Sequence, residues 1–370
     1  MRRKMLLSLL VVLLAASLVA TGCPRPVVVD EEPEVGVLEK PQIISVGSLG
    51  VGSRGYVVAS GLALGVEKTQ GIRTLVEPIP SMASRMAAIR ALEIDIALAS
   101  PIIMIWAARG EGAEPYITWG PQPVRQVMHG YMIHMSWMTR PDTGVTTWEE
   151  FAAKGLRVPR IPGDFVIDSL MVGFIAAYDL EGRVREVPFP SLPATWVGLQ
   201  EGTVDVAVMG PGTGLVAEIQ ALVGLQFMEQ PDKGDPKWEI IRKYHPFAAL
   251  VPYTWDTPAV WDLKAAGMPE EGIWTIPFVN PKAAWEDADE AKVYYFVRGV
   301  IEGYDHFKDI HFTLRDEYTV EKILPHPDVL TPVPFHSGAV RAFKDLGVWR
   351  PEHEAFQVRM LEEERIRLGR

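Results

Sequence analysis

The 370-residue sequence has a single cysteine, Cys23. No internal disulfide can form, and no cysteine-built zinc or iron–sulfur site can be held by this chain alone. Positive charge is scarce: 36 basic residues face 47 acidic ones, a formal net charge of −11. No block of five or more Lys/Arg occurs, which argues against a nucleic-acid partner. Signatures of catalysis are missing too. There is no H-E-x-x-H, no G-x-S-x-G and no P-loop lysine, and the eight histidines are scattered. The expectation is therefore a chain that is not an enzyme and has no metal site and no resident cofactor. What is present is a composition of 48% hydrophobic and 22% charged residues. That fits a folded chain of about two globular units.

The N-terminus reads as a targeting segment. Arg2, Arg3 and Lys4 precede Met5–Ala20, which carry no charge. That run is short for a membrane span and suits an export signal. It ends Val19-Ala20-Thr21-Gly22-Cys23, which resembles the lipobox of bacterial lipoproteins, with Ala20 where Leu is more usual. The expectation is a signal peptide over 1–22, lipidation at Cys23, and a soluble body anchored to a lipid bilayer outside the cytoplasm. Residues 23–40 read as a tether, with Pro24, Pro26 and Pro33 among Asp30, Glu31, Glu32, Glu34 and Glu39.

Two stretches match at an offset of 110 residues. Pro78-Ile79-Pro80-Ser81 runs on to Asp95-Ile96-Ala97-Leu98 and Pro101; Pro188-Phe189-Pro190-Ser191 runs on to Asp205-Val206-Ala207-Val208 and Pro211. Each copy reads as a strand, a Pro-x-Pro turn, a helix opened by Ser81 or Ser191, and a short apolar strand buried on both faces. Another strand and helix lie upstream: Ile43–Val46 with Tyr56–Lys68, and Leu156–Val158 with Phe165–Tyr178. Each half then reads β-α-β-α-β, and right-handed crossovers give two small, mostly parallel α/β lobes. Ligands of such sheets sit beyond the carboxyl ends of the strands. Loops there, several opening helices, line one cleft if the lobes face each other, and their N–H groups suit a small anion. Asp95 and Asp205 read as structural.

Gly50-Val51-Gly52-Ser53-Arg54-Gly55 also fits G-x-G-x-x-G after a strand, with Glu77 ending the next strand. This leaves open an exported NAD(P)-dependent oxidoreductase. Against it stand the export signal and the second copy, which has no Gly-rich loop.

With the doubled unit and lipobox in view, the chain resembles the TAXI-type solute-binding proteins. These are the extracytoplasmic receptors of one branch of TRAP transporters, with a two-lobed periplasmic-binding-protein (type II-like) fold. The resemblance covers about residues 43–349. It rests on the loop Gly47–Tyr56, on Gly202-Thr203-Val204-Asp205-Val206-Ala207, and on Pro334-Phe335-His336-Ser337-Gly338-Ala339. It implies that an interlobe cleft captures a small organic anion, an amino acid or carboxylate, by hinge closure and delivers it to a TRAP membrane permease. A receptor for an ABC importer shares this design. Arg54, Arg85 and Pro162-Gly163-Asp164 depart from the family pattern.

The candidate ligand-binding residues follow from the loops. Ser48, Ser53, Ser81, Ser84, Ser100, Ser191 and Thr213 offer hydroxyls or nearby N–H groups, and Gly210 opens the last loop. Arg54 and Arg85 are candidate anion clamps. Tyr56, Trp196 and Trp255 are candidates for an apolar wall. Asp164 caps a helix or receives an ammonium. The organisation expected is lobe one over 41–130 and 245–349, lobe two over 131–244, and an exposed amphipathic helix within 350–370.

Overall fold

The computed structural model describes residue 36 and residues 38–370, apart from 211, 212, 247, 255, 258–263 and 265. Cys23, the segment 1–22, nearly all of the tether and Trp255 lie outside the described residues. The chain divides into Met1–Glu39 and Lys40–Arg370, and the second unit carries the fold.

Strand β1 (Ile43–Ser48) leads into helix α1 (Arg54–Gln70), β2 (Arg73–Pro78), α2 (Met82–Arg90), β3 (Ile96–Leu98) and α3 (Pro101–Arg109). The second copy runs β5 (Arg157–Arg160), α4 (Phe165–Ala177), β6 (Arg185–Pro188), α5 (Leu192–Glu201), β7 (Val206–Met209) and α6 (Gly214–Val223). Both copies follow the expected β-α-β-α-β order, and β1–β2, β1–β3 and β5–β6 pair in parallel. The lobes are not separate sheets, however. Two long strands, β4 (Val124–Thr139) and β10 (Ile273–Trp285), pair antiparallel and tie them together. β10 pairs with β3 at the first lobe and β4 with β7 at the second. The short strands β8 (Gln226–Phe227) and β9 (Val251–Tyr253) add to β4 and β10.

Where these strands cross between lobes, Gly130 is required. A Cβ there would stand 1.6 Å from the Asn280 carbonyl oxygen. The pairing register shifts beside it, between Asn280 and Lys282, so the ribbon is bulged at its centre.

Two hydrophobic cores result. One gathers Met86, Ile89, Ile103, Tyr116 and Trp285 beneath α2 and α3. The other is aromatic, with Trp137, Trp148, Phe174, Trp196 and Trp238. Ala248, Ala266 and Ile276 belong to the second core. The chain therefore returns to lobe one along β10, later than the expected crossing at 245. Phe165 and Val166, the first two residues of α4, pack into the first core although their helix belongs to the second lobe.

Helix α7 (Glu290–Glu302) and helix α8 (Ser337–Asp345) cover lobe one, and α9 (Pro351–Leu368) ends the chain. The tail is not merely exposed, as its charge pattern suggests. His353, Phe356, Gln357, Met360 and Glu364 are buried. Glu364 pairs with Arg125 of β4 (Nη2–Oε1 2.7 Å), and the Gln357 amide bonds both backbone groups of Phe335 at 2.7 and 2.9 Å. Burying that pair needs good geometry, which the two-pronged contact supplies.

Candidate functional site

At the seam of the two lobes lies a small cavity of about 50 Å³. Lobe one contributes Leu49, Met82 and Ser100; lobe two contributes Asp164, Val166, Ile167 and Leu192. The connecting strands supply the floor, with Ile133 and Met135 of β4 and Phe278, Val279 and Asn280 of β10. An adjoining recess shares Ser100, Val166 and Phe278 and reaches His245. The lining is mostly apolar, with a few polar groups set into it, the usual make-up of a small-molecule pocket.

Ser100 ends the apolar run of β3 and stands just before α3. Its side chain makes no capping bond, and its hydroxyl, fully buried, has no hydrogen-bond partner among the described residues. The opening turn of α3 carries N–H groups that no carbonyl of the helix can reach. A hydroxyl and a helix start thus meet at the cavity, an arrangement that receives a carboxylate.

Asp164 opens α4 and accepts from the Ile167 N–H at 3.4 Å. Asp164 is 6% exposed. Burial pushes its pKa above the ordinary range, and the nearby Arg85 charge pulls partly against that rise.

Arg85 was expected to clamp a ligand, but its guanidinium is spent on the protein. Nε donates to the Leu98 carbonyl at 2.9 Å, Nη1 to those of Ile79 and Pro80, and Nη2 to the Met82 sulfur at 3.3 Å. The side chain is 0% exposed, and burial lowers its pKa to about 10. Arg85 holds the Pro-x-Pro turn against β3 and lends its charge to the site from behind.

Ser81 caps α2 by accepting from the Ser84 N–H at 3.3 Å. The same hydroxyl donates across the cleft to the Gly163 carbonyl at 3.1 Å. With Phe165 and Val166 seated in the first core, this bond shows the lobes in contact.

The remaining expected residues fall elsewhere. Ser48 is buried and donates to the Leu49 carbonyl; Ser53 caps α1; Ser84 is exposed; Tyr56 is half-buried on α1. Arg54 lines a different cavity, with His134, Tyr253, Phe312 and Glu317. Met132 and His134 face that cavity while Ile133 and Met135 face the interlobe one, so strand alternation puts the two on opposite faces of β4. Trp196 is a core residue, not a wall: its indole N–H donates to the Val208 carbonyl at 2.8 Å. Ser191 and Thr213 stand at the starts of α5 and α6 without side-chain capping bonds. Gly210 packs on β4, where a Cβ would meet the His134 carbonyl oxygen at 2.9 Å.

The sequence reading missed Met82, Ile133, Met135, Leu192, Phe278 and Asn280. Each looks like an ordinary core residue until the seam is seen. The one available signal was that Leu192 and Met82 directly follow the paired Ser191 and Ser81.

Among the described residues no cluster of three or more His, Cys, Asp or Glu is placed to hold a metal ion. Among them, no helix is long and apolar enough to cross a membrane. The profile of the NMT1-like family matches residues 46–347. The chain belongs to the NMT1-like family. This NMT1-like chain also shares its architecture with a solved periplasmic binding protein. Against BugD, a periplasmic binding protein, it is 14% identical with a TM-score of 0.51, over 84% of this chain and 99% of that one. Against MatC from Rhodopseudomonas palustris with bound malate, it is 14% identical with a TM-score of 0.49, over 85% and 98%. At such identity the likeness to BugD establishes the two-lobed fold and nothing finer. No curated protein matches the chain.

Proposed function

We propose that this NMT1-like protein is an extracytoplasmic solute receptor, anchored to a bilayer through Cys23, that captures a small organic acid between its lobes and presents it to a membrane permease. The observation that carries this reading is the interlobe cavity. It is apolar, reached from both lobes, and edged by an unpartnered hydroxyl at a helix start. Family and fold agree with it. The two strands β4 and β10 are the only long elements shared by both lobes among the described residues, so bending there opens the cavity. The reading assigns the protein no chemistry.

The transporter is proposed to be of the TRAP class, with this chain as its TAXI-type receptor. A gene for a multi-spanning permease beside this one, with no ATPase gene, supports that class; an adjacent ATPase favours an ABC importer. Isothermal titration of the purified protein against amino acids, monocarboxylates and dicarboxylates tests the receptor reading. Saturable binding of at least one, with a smaller radius of gyration in solution, is expected. Absence of binding across this panel and across neutral solutes removes it.

A further inference from the structure

The charge inventory of the cavity says which organic acid fits. Among the described residues, Asp164 is the one ionisable side chain in its lining. Among the described residues nothing cationic lines it, because the neighbouring Arg85 gives its N–H groups to three carbonyls and a sulfur. Arg85 and Asp164 together are close to neutral. A dianion entering this space meets the Asp164 carboxylate with one helix start and one hydroxyl to stabilise it. A charge buried without a partner is strongly unfavourable. A zwitterion leaves the site neutral, with its carboxylate at Ser100 and the start of α3 and its ammonium at Asp164. The rest of the lining leaves a second polar group of the ligand little to bond. Met82, Ile133, Met135, Ile167, Leu192 and Phe278 are apolar, and the Asn280 amide already donates to the Phe278 carbonyl at 3.1 Å.

We infer that the interlobe cavity takes an α-amino acid with an apolar side chain, and that Asp164 is the counter-charge of its ammonium group. This rests on the receptor reading and narrows it: dicarboxylates and acidic amino acids are excluded by the same residues.

Titration calorimetry with L-leucine, L-methionine, L-phenylalanine, L-glutamate, malate and two truncated probes tests it. The probes are 4-methyl-2-oxopentanoate, which lacks the ammonium of leucine, and 3-methylbutylamine, which lacks its carboxylate. One of the apolar amino acids should bind tightest, with each truncated probe weaker by about tenfold or more. Asp164→Asn keeps a residue that caps helices well. It should weaken the amino acid by about tenfold or more and leave the oxo acid unchanged or tighter. Asp164→Ser, also a good cap, serves if the Asn variant does not fold. The inference is overturned, and the receptor reading kept, if malate, glutamate or the oxo acid binds as tightly as the best amino acid. It is likewise overturned if both variants bind that amino acid like wild type. If no solute of any class binds, the receptor reading and this inference fall together.

Discussion

Asp95 in lobe one accepts from the Ser45 backbone N–H at 2.8 Å, and Asp205 in lobe two accepts from the Arg157 backbone N–H at 2.7 Å. In each lobe this carboxylate, standing just before an inner strand, clips that strand to the first strand of its copy. The surroundings differ. Asp95 also takes the Ser45 hydroxyl at 2.8 Å and Lys292 of α7 at 2.8 Å. Asp205 takes both Nε and Nη2 of Arg157, at 2.8 and 2.5 Å. In lobe one β1 and β3 also share a hydrogen-bonded ladder, whereas in lobe two the carboxylate and one backbone bond, Asp205 N–H to the Arg157 carbonyl, join β5 to the segment leading into β7. The repeat keeps the acceptor for the backbone group and leaves the counter-charge free to vary. The lobes also differ in how their cations are held. In lobe two the half-buried Arg157 pairs with Asp205 and Arg160 with Asp168. Lobe one pairs the buried Arg125 with Glu364 but buries Lys282 of β10 against the Tyr318 hydroxyl and the Asn280 carbonyl, with no carboxylate partner among the described residues.

That lysine gives the largest expected effect. It is 1% exposed, donates to the Tyr318 hydroxyl at 2.5 Å and the Asn280 carbonyl at 3.3 Å, and lies over the Tyr131 and Tyr318 rings. Burial lowers its pKa to about 7. In the unfolded chain it returns to about 10.4. Between those values the unfolded chain binds a proton that the folded one does not, so stability rises with pH across that window, by about 5 kcal/mol at full effect. His129 beside it has a pKa lowered to about 4 by burial and by the Lys282 charge, and so does not titrate there. Denaturant melts at pH 7 and pH 10 should show this rise in the wild type and lose it in Lys282→Met. Equal slopes in the two proteins would erase the contrast with lobe two.

The clips come next. Asp95→Ala and Asp205→Ala each leave a backbone N–H and a cation without their acceptor, at an expected loss of about 2–4 kcal/mol. The Asn variants can still accept from the backbone and lose only the ion pair. Lys292 and Arg157 keep 30% and 27% of their side chains exposed. Each Asn variant should therefore lose about 1 kcal/mol or less. Urea melts of all four decide whether the backbone clip or the counter-charge does the holding. Asn variants as damaged as the Ala ones would give the role to the ion pair.

Much of this repeat was legible before the fold was known. The Pro-x-Pro turns, the serines after them and the Asp-led apolar strands mark helix starts and buried strands by local chemistry alone. Asp95 and Asp205 could be read as structural because they recur at the same place in both copies. The ribbon was harder. β10 includes Pro277 and Pro281, residues that argue against a central strand, and its bulge breaks any alternation. The site was harder still. Whether an arginine clamps a ligand or its own turn depends on which carbonyls surround it, and Arg85 is fixed by Leu98, thirteen residues away. Nothing in the sequence separates Met132 and His134 from Ile133 and Met135, yet strand parity assigns the two pairs to different cavities.

The serines that open α2 and α5 provide the finest contrast. Ser81 accepts the Ser84 N–H and reaches across the cleft to Gly163, whereas Ser191 occupies the matching position with no side-chain capping bond. Pro193, at the second position of α5, has already removed one of the N–H groups such a cap would satisfy. Ser81→Ala should therefore cost about 1 kcal/mol and, through the lost interlobe bond, enlarge the radius of gyration measured by small-angle scattering without ligand. Ser191→Ala should stay within about 0.5 kcal/mol of wild type and leave the radius unchanged. The same hydroxyl at the same place in the repeat then serves closure in one lobe and little in the other. A Ser191→Ala loss as large as that of Ser81→Ala would show that the two helix starts are equivalent after all.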